Sequence, residues 1–119
     1  MNLFQDLFAG PQLDKADEIK AAFGQAIVID VRSPGEITSK VDAGKRWINV
    51  PGTPFDCPDL AQNAARLVGN DKSKPVILYC ASGKRASKAA SILKDQGYER
   101  VYNAGGIGQI TYLPIKDVK

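Results

Sequence analysis

Two strongly apolar runs, Ala26-Ile27-Val28-Ile29-Asp30-Val31, interrupted only by Asp30, and Pro75-Val76-Ile77-Leu78-Tyr79, constrain the fold of this chain more than any other feature. A strand with one face in water alternates apolar and polar residues, so runs this continuous predict strands covered on both faces. Helical spacing lies between and beside them. Pro58 suits a first helical position, with Leu60, Ala64, Leu67 and Val68 on one face and Gly69-Asn70 ending the helix. After the second run, Ala86, Ala89, Ala90 and Leu93 give a small-residue helical face closed by Gly97. Ahead of the first run, Asp14 is placed to cap a helix that turns Ala16, Ile19 and Phe23 inward and stops at Gly24. Trp47-Ile48-Asn49-Val50 and the stretch from Tyr98 to Asn103 read as further short strands. Strand, helix and strand at about 30 residues per unit imply right-handed crossovers. The expected class is therefore α/β, a central, mostly parallel sheet of about five strands with helices on both faces. In such sheets ligands bind beyond the carboxyl ends of the strands, and Cys80 stands at one of those ends.

The other segments are less regular. Glu36 to Arg46 is polar and reads as one helical turn and a loop, Pro51-Gly52-Thr53-Pro54 as a turn-rich loop, and Gly105-Gly106 as a turn. Leu3, Phe4, Leu7 and Phe8 form an apolar stripe, so residues 1–12 are expected to cap the core of one domain spanning 1–119.

Composition removes many functions. Histidine is absent, which excludes a Ser-His-Asp triad, a Cys-His pair and a histidine-ligated metal. The two cysteines, Cys57 and Cys80, are too far apart for a CxxC pair or a zinc knuckle, so neither a metal nor a cofactor is expected. Net charge is +3 with the cations scattered, which argues against nucleic acid, and no apolar run approaches the roughly 20 residues of a membrane helix. The opening MNLFQDLFAG lacks a basic n-region and carries Asp6, so a cytoplasmic setting is expected, or a periplasmic one if a leader was removed. Chemistry is left to a thiol, carboxylates, cations or the backbone.

The stretch CASGKRAS, Cys80 to Ser87, supplies that chemistry. With a helix starting near Lys84 or Arg85, the backbone of Ala81, Ser82 and Gly83 can wrap so that its N–H groups point at the Cys80 thiol. Small side chains let the ring close, Gly83 supplies torsions that larger residues resist, and Lys84 and Arg85 add positive charge. Such surroundings favour thiolate over thiol. A cradled thiolate can attack an electron-poor sulfur, leaving a persulfide, or attack phosphorus, leaving a phosphocysteine. Phosphate-cleaving cysteine enzymes place an arginine six positions after the cysteine, in a loop wide enough for a tetrahedral oxyanion. Arg85 comes five after Cys80, a tighter ring that favours sulfur. Asp30 and Arg32, at the end of the first run, are expected to pair with each other or cap loops, with Arg32 near the pocket mouth as the alternative. Cys57 reads as a bystander, or else as a resolving thiol, and Trp47 as core or rim packing.

CASGKR, with VIDVRSPGE upstream and NAGGI downstream, resembles the single-domain rhodanese family of sulfurtransferases over roughly Leu13 to Ile107. The resemblance implies a rhodanese-like fold, a six-residue active-site loop from Cys80 to Arg85 and double displacement. A donor such as thiosulfate, or a persulfide, would load Cys80, and cyanide, a cellular thiol or a thioredoxin-like acceptor protein would remove the sulfur. Lys84 and Arg85 would hold the anionic donor and help release sulfite. Two departures stand out: SKVDAGKRWINVP lacks the family's Gly-His-Ile-x-Gly-Ala motif, and the tail lacks its frequent Trp, a place Tyr112 can fill. Altered packing is expected from them, with activity retained. Two other readings remain, a cysteine phosphatase or arsenate reductase, and a rhodanese-like module that delivers or senses sulfur for a partner.

Overall fold

The structure, a computed structural model, describes residues 16–118. The expected cap over residues 1–12 and the Asp14 helix cap lie outside the described residues. Strands β1 (Ile27–Asp30), β3 (Trp47–Asn49), β4 (Val76–Cys80) and β5 (Val101–Gly106) form one parallel sheet in the order β3-β1-β4-β5. The sheet thus has four strands, where about five were expected. Helices α1 (Ala16–Ala22), α2 (Pro58–Val68) and α3 (Lys84–Asp95) cover it.

The continuous apolarity of the two runs has a direct cause. Along β1 and β4, Ile29, Leu78 and Cys80 pack with Leu60, Ala64, Ala89 and Leu93 of α2 and α3. Their neighbours Val28, Ile77 and Tyr79 face the other way, into a second cluster with Ile19 of α1. All five residues of β4 are buried, because it lies between β1 and β5 with a core on each side. Among the described residues no helix is long and apolar enough to cross a membrane.

Two departures from the sequence reading have physical reasons. The segment from Glu36 to Arg46 holds a strand, β2 (Ser39–Val41), which pairs antiparallel with β6 (Ile115–Asp117). The partner lies more than seventy residues away, β2 is only three residues long and β6 lies at the surface, so neither carries an apolar run. Gly105-Gly106 is the end of β5 rather than a turn; a side chain on Gly106 would collide with the Ala81 carbonyl, so glycine there serves close approach. At the departure from the Gly-His-Ile pattern, Arg46 Nη1 donates to the carbonyls of Phe23 and Ala26, and its guanidinium lies 5.0 Å over the Phe23 ring. An arginine pins this segment to the end of α1.

Asp30 and Arg32 pair as expected, deep in the protein. Asp30 is 0% exposed and Arg32 4%. Asp30 Oδ1 accepts from Arg32 Nε at 2.9 Å and Oδ2 from Nη2 at 2.7 Å, while Nη2 also reaches the Ser39 carbonyl at 2.7 Å. This ties β2 to the end of β1 and raises the Arg32 pKa through the Asp30 bond. Removing one partner of a buried pair strands the other charge. Arg32→Met should therefore cost about 3–5 kcal/mol in urea unfolding at neutral pH. Asp30→Asn combined with Arg32→Met should recover part of that loss.

Candidate active site

Cys80 closes β4, opposite Gly106 of β5, and the chain turns into α3 within Ala81, Ser82 and Gly83. The turn is that short because Gly83 takes φ 96° and ψ −15°, the left-handed region that glycine enters without strain. A Cβ at Gly83 would also stand 3.2 Å from Gly105 Cα, so the loop and the end of β5 lie against each other as bare backbone. Asn103, whose importance the sequence reading missed, fastens this contact. Its Nδ2 donates to the Gly83 carbonyl at 3.3 Å and its Oδ1 accepts from Gly105 N at 2.8 Å. The signal was present in NAGGI, where an amide precedes two close-approach glycines.

The loop aims donors at sulfur. Cys80 Sγ accepts the Gly83 N–H at 2.9 Å and the Ala86 N–H at 3.4 Å. Ala86 N–H is one of the first-turn donors of α3 that no helical carbonyl can satisfy, so the sulfur takes the place of a cap. Backbone donors and the positive end of a twelve-residue helix together suit negative charge on that atom. Ala81 and Ser82 are exposed, while Gly83 and Ala86 are buried behind the sulfur.

The two cations part company. Lys84 is exposed and forms no ion pair among the described residues. Arg85 is half-buried and directs Nη1 and Nη2 to Glu36, at 2.7 Å to Oε2 and 2.8 Å to Oε1. Glu36 belongs to the 3₁₀ turn Pro34–Glu36 and also accepts the Ser33 N–H at 2.9 Å. The Arg85 bond holds the Glu36 carboxyl down at about 2, and Arg85 itself is raised, first by Glu36 and in smaller part by Cys80. Glu36 closes VIDVRSPGE, but nothing local in the sequence pairs it with a residue 49 positions away.

The other expected residues lie apart from the loop. The contacts of Arg32 run to Asp30, the Ser39 carbonyl and the Tyr79 ring, so it braces the strand end. Cys57 is fully buried, its Sγ 3.9 and 3.8 Å from the Val50 and Pro51 carbonyls, and burial pushes its thiol pKa up. These are the surroundings of an inert thiol. Trp47 packs at the rim, its indole N–H donating to Tyr79 Oη at 2.9 Å.

The profile of the rhodanese-like domain matches residues 14–110. The chain belongs to the rhodanese-like domain family. Among solved structures, a rhodanese from E. coli with bound anions is 31% identical and superposes with a TM-score of 0.64, over 78% of this chain and 99% of that one. The polysulfide-sulfur transferase homodimer of Wolinella succinogenes shares the fold, with a TM-score of 0.65 at 23% identity over 98% of this chain and 89% of that one. Among curated proteins, a tRNA uridine(34) hydroxylase of Rickettsia bellii is 31% identical over 113 residues, 94% of this chain. The chain spans 43% of that relative's length, and 28% of the similarly named protein of Prochlorococcus marinus.

The Glu36–Arg85 bond sets a pH expectation. Glu36 is depressed from 4.5 to about 2, so the ionised pair persists in the folded protein until pH nears 2, and its contribution to stability, full above 4.5, is lost as pH falls from there through about 2. The Glu36 carboxyl carbon resonance should titrate with a midpoint near 2, and in Arg85→Gln near its ordinary value.

Proposed function

We propose that this rhodanese-like chain is a sulfurtransferase that carries sulfane sulfur as a persulfide on Cys80. The observation that carries the reading is the Cys80 sulfur receiving the Gly83 and Ala86 N–H groups inside a loop whose arginine comes only five positions on. The Cys80 thiolate attacks the outer sulfur of thiosulfate. One S–S bond forms on Cys80 as the donor's S–S bond breaks, and the electron pair leaves with sulfite. The outer persulfide sulfur then lies where backbone N–H groups can stabilise its charge. In the second half-reaction cyanide or a thiolate attacks that sulfur, giving thiocyanate or a new persulfide and returning the Cys80 thiolate. Lys84 and Arg85 supply the positive charge that draws the donor.

A second reading is favoured by the length of the relatives. Proteins named tRNA uridine(34) hydroxylase carry the matching region within a longer chain, of which this one spans less than half. In that reading the domain delivers sulfur to a partner protein, and turnover with small donors is slow. The same protein chemistry underlies both.

Incubation with thiosulfate should release sulfite and add the mass of one sulfur atom to Cys80, read by intact-mass spectrometry. Cys80→Ser should lose both signals, and Cys57→Ser should keep both. Full sulfite release by Cys80→Ser would overturn the proposal. Loading of Cys80 without release to small acceptors would favour the delivery module.

A further inference from the structure

We infer that Glu36 selects the donor by charge, favouring singly charged sulfane donors, organic persulfides among them, over dianionic thiosulfate. The inference rests on the sulfur-transfer reading above and refines its substrate class.

The arginine nearest the sulfur is already occupied. Arg85 meets Glu36 through two parallel hydrogen bonds at 2.7 and 2.8 Å, the geometry that gives a guanidinium–carboxylate pair its specificity. Glu36 is held from a second side, since its Oε2 accepts the Ser33 N–H at 2.9 Å within a short turn opened by Pro34. An arriving anion therefore does not sweep the carboxylate away by taking Arg85, because the backbone of the turn retains it. The Asp30–Arg32 pair behind this turn is buried and internally neutral.

Charge at the mouth is then partly offset. Lys84 and Arg85 contribute two positive charges, and Glu36 offsets one of them. Glu36 thus lowers the positive charge that a donor meets, and its repulsion of the donor scales with the donor's own charge. Thiosulfate brings two charges and releases sulfite, again a dianion. A persulfide R–S–S⁻ brings one. In its reaction the Cys80 thiolate bonds to the outer sulfur, the donor S–S bond breaks, and the electron pair leaves on RS⁻.

The test compares two donors of similar shape and different charge, thiosulfate and methanethiosulfonate. The second transfers its outer sulfur to the Cys80 thiolate and leaves as the methanesulfinate monoanion. Rates of Cys80 loading are read by intact mass for the native protein and Glu36→Gln, in which the amide oxygen can still accept the Ser33 N–H. The native protein should prefer methanethiosulfonate, and Glu36→Gln should shrink the preference about threefold, as expected when the charge removed acts several ångströms away on one more unit of charge in thiosulfate than in methanethiosulfonate. An unchanged preference overturns the inference and leaves sulfur transfer standing.

A parallel measurement does not depend on transfer. Thiosulfate binding is compared between Cys80→Ser and Cys80→Ser combined with Glu36→Gln. About tenfold tighter binding in the latter supports charge selection by Glu36 even where neither donor loads Cys80, an outcome that would overturn the sulfur-transfer reading alone. Equal binding overturns the inference.

Discussion

Everything at this site depends on β4 lying buried between two parallel neighbours. Each face of the strand is closed by a core, so the chain can leave only at its carboxyl end, where Cys80 is the last residue. The helix that follows must fold back across the sheet to cover Leu78 and Ile29. Only three residues separate Cys80 from α3, so the unsatisfied donors at the start of that helix are brought onto the cysteine sulfur. The sulfur's environment is thus a consequence of covering a parallel sheet.

Tightness of the loop comes from what is missing around it. Gly83 adopts a left-handed torsion against Gly105, and the Ala81 carbonyl lies where a side chain on Gly106 would otherwise be. Asn103 bonds across this contact to the Gly83 carbonyl. The ring is therefore built from both sides, by the Cys80–Arg85 loop and by the end of β5. Its outer edge is electrostatic: Glu36 holds Arg85 beside the sulfur, so one cation is fixed and Lys84 remains exposed to solvent.

Sequence reasoning reached the parts of this structure that depend on local pattern. The β1 and β4 runs, the α2 face from Leu60 to Val68 and the small-residue face of α3 each follow from burial on a fixed period. The placement of Cys80 at a strand end, and the count from it to Arg85, were legible for the same reason. What escaped was set by contacts between distant segments. The β2–β6 ladder joins two polar triplets, the Glu36–Arg85 bond links a turn after β1 to the start of α3, and Gly105-Gly106 looks like any turn until Ala81 is laid against it. The Asp30–Arg32 pair was readable because its partners are two residues apart, although its reach to the Ser39 carbonyl was not.

The most direct test of the account is a crystal structure of the protein after reaction with a sulfane donor. The account predicts one added sulfur bonded to Cys80 Sγ, within hydrogen-bonding distance of loop N–H groups between Ala81 and Ala86. Gly83 should keep its positive φ. A sulfur added to Cys57 instead, or a Cys80 persulfide turned away from those N–H groups, would contradict it.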